Sequence, residues 1–241
     1  MALNVFRAYE PEIYKHKFAG RIEVTQIMGG TPFNKKVAEG WLKTKLGLDK
    51  ESAIQQAVAE VMAATPEATK DEALKAVDIE RHLNGFKRNN DEGGILMIEG
   101  RHLKAMLKEA ASVARSVGNL PAKMGLTNKG TLSFIAEHVI VVDDRLHIGK
   151  ADPLTGKVVD ITEPDGILQS FPKNPITRQT GIQYTEYVED AVVEFTVVSD
   201  YDFSEKEWAA MWITGGNQGI GAGRSQGYGK FNITKWEKLK A

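Results

Sequence analysis

Gly219-Ile220-Gly221-Ala222-Gly223-Arg224-Ser225-Gln226-Gly227-Tyr228-Gly229-Lys230-Phe231 is the stretch on which the fold turns. Its glycines allow backbone conformations closed to other residues, and they let N–H groups approach a phosphate closely. Arg224 and Lys230 add positive charge and Tyr228 offers a ring for stacking, so Gly221, Gly223, Arg224, Ser225, Tyr228 and Lys230 form one candidate nucleic-acid contact set. No Gly-Lys-Ser/Thr follows, which excludes a P-loop, and the glycines lead into strand-like Lys230–Trp236 rather than a helix, which excludes a dinucleotide-binding turn. A flexible loop without function is the competing reading.

Upstream, Trp208–Ile213 predicts a short helix and Val192–Val198 a strand. Residues 149–185 are rich in Pro, Gly, Asp and Thr and longer than an ordinary connection, and we read them as a projecting hairpin or loop. At its expected tip, Phe171-Pro172-Lys173-Asn174-Pro175-Ile176-Thr177-Arg178 supplies Lys173 and Arg178 for phosphates and Phe171 or Ile176 as an apolar wedge between bases.

Further upstream, strands are expected at Val139–Val142 and Arg145–Ile148, and Gly93-Gly94 precedes the apolar run Ile95–Ile98. The most regular helix spans about Arg101 to Val117. Leu103, Met106, Leu107, Ala110, Ala114 and Val117 share one side, while Arg101, Lys104, Lys108 and Arg115 form a basic ridge opposite. A merely solvated helix face is the alternative, and Glu109 shows that this surface is not purely basic. His102 sits between Arg101 and Lys104 at the helix start.

Near the beginning of the chain, Arg21–Ile27 alternates as a strand and Met28-Gly29-Gly30-Thr31-Pro32 breaks it. Ala53, Ile54, Ala57, Val58, Val61 and Met62 then recur at helical spacing, and Thr69-Lys70-Asp71-Glu72 has the capping-box pattern of a second helix, closed by Asn84-Gly85. We read 35–92 as an acidic helical insertion.

Across 241 residues with 42% hydrophobic content, the chain has enough apolar material for a full core. The 31 Lys+Arg against 32 Asp+Glu give a charge of -1, so nucleic-acid binding must come from local clusters rather than a global field. The absence of cysteine excludes disulfides, thiol nucleophiles and cysteine-held metals. Without a long apolar run or a signal-like start, a soluble cytoplasmic protein that contacts no membrane is expected.

Three of these segments resemble, in order, motifs of the RAMP superfamily, and are most similar to the backbone subunits that coat CRISPR RNA in type III-like effector complexes. Ile98-Glu99-Gly100-Arg101-His102-Leu103-Lys104-Ala105 looks like the family's isoleucine-proline-glycine-serine-serine-leucine-lysine-glycine helix start, with Lys108 at its later basic position. Glu99, Arg101, His102 and Ala105 depart from that pattern. Ile176–Gly181 and Glu186–Phe195 are similar to the thumb and its returning strand, and Gly219–Phe231 to the glycine-rich loop and last strand. The likeness covers residues 18–30 and 93–236.

The resemblance implies one α+β domain over 1–241, a modified ferredoxin-like (RRM-like) antiparallel sheet with a helical insertion and a protruding β-hairpin thumb. It implies a subunit that holds single-stranded RNA and stacks head to tail with copies of itself and with other effector subunits in an antiviral ribonucleoprotein. RNA-cleaving relatives carry an aspartate in the loop after the first strand, and here Gly29–Lys36 contains none. The expectation is therefore a non-catalytic subunit without cofactor or metal. The paired acids Asp143-Asp144 and Asp200-Tyr201-Asp202 read as turn and capping residues.

Three alternatives stand beside this reading. The chain is a phage- or plasmid-encoded relative that coats single-stranded DNA or RNA outside CRISPR immunity, an endoribonuclease using His102 or one of His16, His82, His138 and His147, or an assembly protein whose basic ridge meets an acidic partner.

Overall fold

The computed structural model describes residues 10–32, 59, 62–63, 72, 83–124, 127–171 and 182–239. The architecture is α+β, and the chain divides into two compact units, 1–28 with 87–164 and 188–241, and 29–86 with 165–187.

In the first unit, β1 (His16–Met28) lies between β12 (Phe231–Leu239) and the later part of β11 (Gln183–Ser199). Phe18, Gly20, Ile22 and Val24 are buried, and Lys17, Glu23 and Thr25 are exposed, the period-two pattern of a sheet with one covered face. β6 (Val139–Val141) pairs antiparallel with β11 through Val197 and Val141, giving the strand order β12-β1-β11-β6. A smaller antiparallel sheet contains β4 (Lys87–Asn89), β5 (Ile95–Glu99) and β7 (Arg145–His147).

Among the described residues, three helices of more than ten residues belong to this unit: α1 (Gly100–Ser116), α2 (Asn128–His138) and α3 (Glu205–Gln218). Ser204 and Glu207 form a reciprocal capping box at the start of α3, which places that start ahead of the expected Trp208. From α3, Trp208 and Trp212 join Phe18, Phe195, Phe203 and Trp236 in a continuous aromatic core. Gly215 and Gly216, beyond the expected helix end at Ile213, lie inside α3. A Cβ on Gly215 would strike the Met106 sulfur, and one on Gly216 the Phe231 carbonyl, so these glycines bring α1 and β12 close to α3.

Residues 149–171 hold three short strands. Within the first unit, β8 (Gly149–Ala151) and β9 (Val158–Asp160) form a hairpin. Its turn is tied by Asp152, whose Oδ1 accepts the Leu154 and Thr155 N–H groups at 2.9 and 2.7 Å. These bonds hold the Asp152 carboxyl below its usual pKa.

The second unit contains β2 (Thr31–Pro32), β3 (Leu83–Gly85), β10 (Gly166–Ser170) and the start of β11. β10 and β11 are antiparallel arms, with Ser170 opposite Gln183. Lys173, Arg178 and Ile176 at the expected tip lie outside the described residues, and Phe171 beside it is exposed. Ala59, Met62, Ala63 and Glu72 are helical, and the remainder of 35–82 lies outside the described residues. The last part of the expected insertion is not helical. Asn84 and Gly85 belong to β3 and cap no helix, and a Cβ on Gly29 would strike the Gly85 backbone, so close approach to β3 requires the glycine at 29.

Candidate nucleic-acid interface

The start of α1 is fixed by its backbone. Gly100 N–H donates to the Asp144 carbonyl at 2.9 Å, and a Cβ at residue 100 would strike the Asp143 carbonyl, so only glycine fits this junction. Burial of Leu103, Met106, Leu107, Ala110, Ala111 and Ala114 then determines which side chains face outward. Arg101, Ala105 and Glu109 are exposed, and His102 and Lys108 are half-buried.

Among the four cations of the predicted ridge, Lys104 has a structural partner. Its ammonium donates to the Ala136 carbonyl at 2.9 Å, in the last turn of α2, where a cation satisfies a free carbonyl and complements the helix dipole. Burial and the neighbouring Lys108 charge lower its pKa. Arg101 is held by Glu99, at 2.6 Å from Nη2 and 2.8 Å from Nε, and Lys87 reaches the same carboxylate at 2.9 Å. Lys108 has no ionic partner among the described residues.

The glycine-rich loop has a defined course. Gly229 N–H donates to Gln26 at 2.8 Å, Ala222 N–H to Met28 at 3.1 Å and Ile220 N–H to Gly229 at 2.9 Å, while the Lys230 carbonyl accepts from Thr25 N–H at 3.1 Å. These bonds lash the loop to the end of β1. Gly221, Gly223 and Gly229 have φ of 87°, 69° and 76°, so the glycines serve the path of the chain first. The N–H groups of Gly221, Gly223, Arg224 and Ser225 meet no backbone carbonyl among the described residues. Tyr228 is half-buried with its ring against Gly223, where a Cβ would lie 2.9 Å from a ring carbon. Ser225 and Lys230 are exposed, and Lys230 has no ionic partner among the described residues.

Arg224 joins the loop to α1, with Nη1 2.6 Å from Glu109 Oε2. His102, seven residues before Glu109 and thus on the same helix stripe, feels the Arg224 charge. Its pKa is lowered by burial first and by Arg101, Lys87 and Arg224, against the raising effect of Glu99. The structure therefore brings Arg101, His102, Lys108 and the Arg224 turn around one exposed helix surface.

The described histidines each have a carboxylate neighbour. His138 Nδ1 lies 2.9 Å from Asp200, and His16 Nδ1 lies 3.5 Å from Asp202. His147 uses both ring nitrogens, at 3.0 Å from Glu92 and 3.1 Å from Asp160. It lines an open polar cleft of about 520 Å³ with Asp143, Arg145, Asp160, Glu194 and Lys235. Sequence reading missed these pairs because each joins residues far apart in the chain or in different elements. His82 lies outside the described residues.

None of the described helices is long and apolar enough to cross a membrane. No family model and no curated protein matches the chain. Among solved structures, it is similar to a chain of the cryo-EM structure of the Type III-B Cmr-beta bound to cognate target RNA, with 11% identity and a TM-score of 0.47. That likeness covers 98% of this chain and spans 65% of the other.

Proposed function

We propose that the chain is a non-catalytic subunit that holds single-stranded RNA, stacked with copies of itself and with other subunits in a ribonucleoprotein of the CRISPR type. The observation that carries this reading is the meeting of the α1 surface with the glycine-rich loop through Arg224 and Glu109. Two segments singled out for the same chemistry form one surface although 115 residues separate the paired side chains.

The strand order supports the fold implied by the sequence resemblance. Taking β1, β6, β11 and β12 as the four core strands, with α1 between the first two and α3 between the last two, β12-β1-β11-β6 is the 4-1-3-2 order of a ferredoxin-like sheet. Such a sheet with a basic helix edge suits sequence-independent binding. Lys108, Arg224 and Lys230 would meet phosphates, the free N–H groups of the loop would add directed donors, and Tyr228 would stack on a base.

RNA is preferred in this proposal because phosphate contacts are common to both nucleic acids, while hydrogen-bonding groups beside them can read a 2′-hydroxyl. Competition between ribo- and deoxyribo-oligomers of one sequence tests it. The ribo-oligomer should bind more tightly and remain uncleaved. Tighter binding of the deoxyribo-oligomer would favour a DNA-coating protein, cleavage would favour the endoribonuclease, and binding of neither would remove the nucleic-acid reading.

A further inference from the structure

The best-paired cations of the candidate interface are already holding anions, and those anions come from the chain itself. Glu99 receives Arg101 and Lys87, and Glu109 receives Arg224. We propose that Glu99 and Glu109 occupy the positions that two phosphates of the bound strand take, so that each carboxylate is an internal competitor that sets how tightly the strand is held. This inference rests on the nucleic-acid reading above and deepens it.

The geometry favours competition over simple support of the helix. At the N-terminal boundary of α1 the usual capping role is unfilled, because the Glu99 side chain makes no cap hydrogen bond and spends its oxygens on the two cations. Its carboxyl is held below the usual range, first by Lys87, with Arg101 adding to the effect, so it remains an anion at neutral pH. Glu109 is exposed, as is a substantial part of Arg224, so the pair stands in water at the helix surface. Exposed pairs of this kind contribute little to stability. They are therefore easily exchanged for another anion.

The spacing of the two carboxylates points to an extended ligand. Glu99, His102, Ala105 and Glu109 follow one another at helical intervals of three, three and four residues along one stripe. The ends are about 15 Å apart along the axis at the rise of an α-helix. One phosphate cannot serve both ends, whereas a strand laid along the stripe can. Between them lie the half-buried His102 ring and exposed Ala105, whose small side chain leaves the path open. Arg101 and Lys87 stand at one end and Arg224 at the other.

Glu99→Gln and Glu109→Gln test the proposal on the full chain, with single-stranded oligouridylate as the probe. Each should tighten binding by about two- to fivefold, the range of an exposed ion pair, and the double variant by about the product. A double-mutant cycle supplies the decisive readout. The gain from Glu109→Gln should vanish when Arg224→Ala is present. An equal gain in that background would mean that net charge alone is responsible and would overturn the proposal, as would unchanged or weaker binding by both single variants. Lys230→Ala, which touches neither carboxylate pair, separates this failure from failure of the reading beneath it. Weaker binding by Lys230→Ala without a gain from the glutamine variants removes only the competitor idea, and no binding by the parent chain removes both.

Discussion

Gly229→Ala should destabilise the protein by about 3 kcal/mol or more, although it adds one methyl group to a surface loop. Gly229 has φ of 76°, a region that strains any residue with a Cβ. The new carbon would also strike the Ile220 carbonyl and lie 2.8 Å from the Ile220 nitrogen. Relief by backbone movement would break the Ile220 N–H bond to Gly229 and the Gly229 N–H bond to Gln26. Gly227→Ala is the matched control. Its φ is 93° but a Cβ there meets nothing within 4 Å, so it should cost only the conformational strain, about 1 kcal/mol. Urea unfolding of both variants measures the difference, and equal costs would show that the loop packs differently.

Joint replacement of Lys108, Arg224 and Lys230 by alanine should weaken binding of single-stranded RNA by about a hundredfold, at about 1 kcal/mol per phosphate contact. The dependence of log affinity on log salt should lose about two units of slope, since each phosphate neutralised on a single strand contributes about 0.7. Lys108 and Lys230 have no ionic partner among the described residues, and removing Arg224 also leaves Glu109 as an unpaired anion beside the strand. Lys104→Ala should behave differently. Its ammonium caps α2 at Ala136, so its loss should lower stability and leave the salt slope unchanged. Salt titrations of the parent, the triple variant and Lys104→Ala compare the two roles, and an unchanged slope in the triple variant would remove these cations from the interface.

Local chemistry explains which parts of the fold could be read in advance. The apolar stripe of α1 and the alternation of β1 predicted those elements within a few residues because each buries one face. α2 was missed. Gly130 interrupts its first turn and its apolar pattern is weak, although Thr127 provides a cap whose oxygen accepts Gly130 N–H at 3.1 Å. For α3, the predicted helix ends at Ile213, and only the nearby Met106 sulfur and Phe231 carbonyl explain the place of Gly215 and Gly216 within it. The Ser204–Glu207 capping box was present in the sequence as an unused signal.

The candidate site was legible in its residue types but not in their partnerships. Arg101, His102, Lys108, Arg224, Ser225, Tyr228 and Lys230 lie on the α1 and loop surfaces where their segments placed them. Charge patterning did not reveal that Lys104 turns inward to a carbonyl, or that Arg224 and Arg101 are neutralised by Glu109 and Glu99. Those outcomes depend on tertiary distances. The glycines of the loop carried a mixed signal for the same reason, since close contact with the chain's own backbone and close approach to a phosphate both require the missing Cβ.

Copurification of nucleic acid tests the central claim most directly. The chain would be isolated from its native host together with the products of its neighbouring genes, and any bound strand extracted and examined for sugar type, length and sequence. The account predicts RNA of uniform length and repeat-spacer sequence. DNA alone, or no nucleic acid, would contradict it.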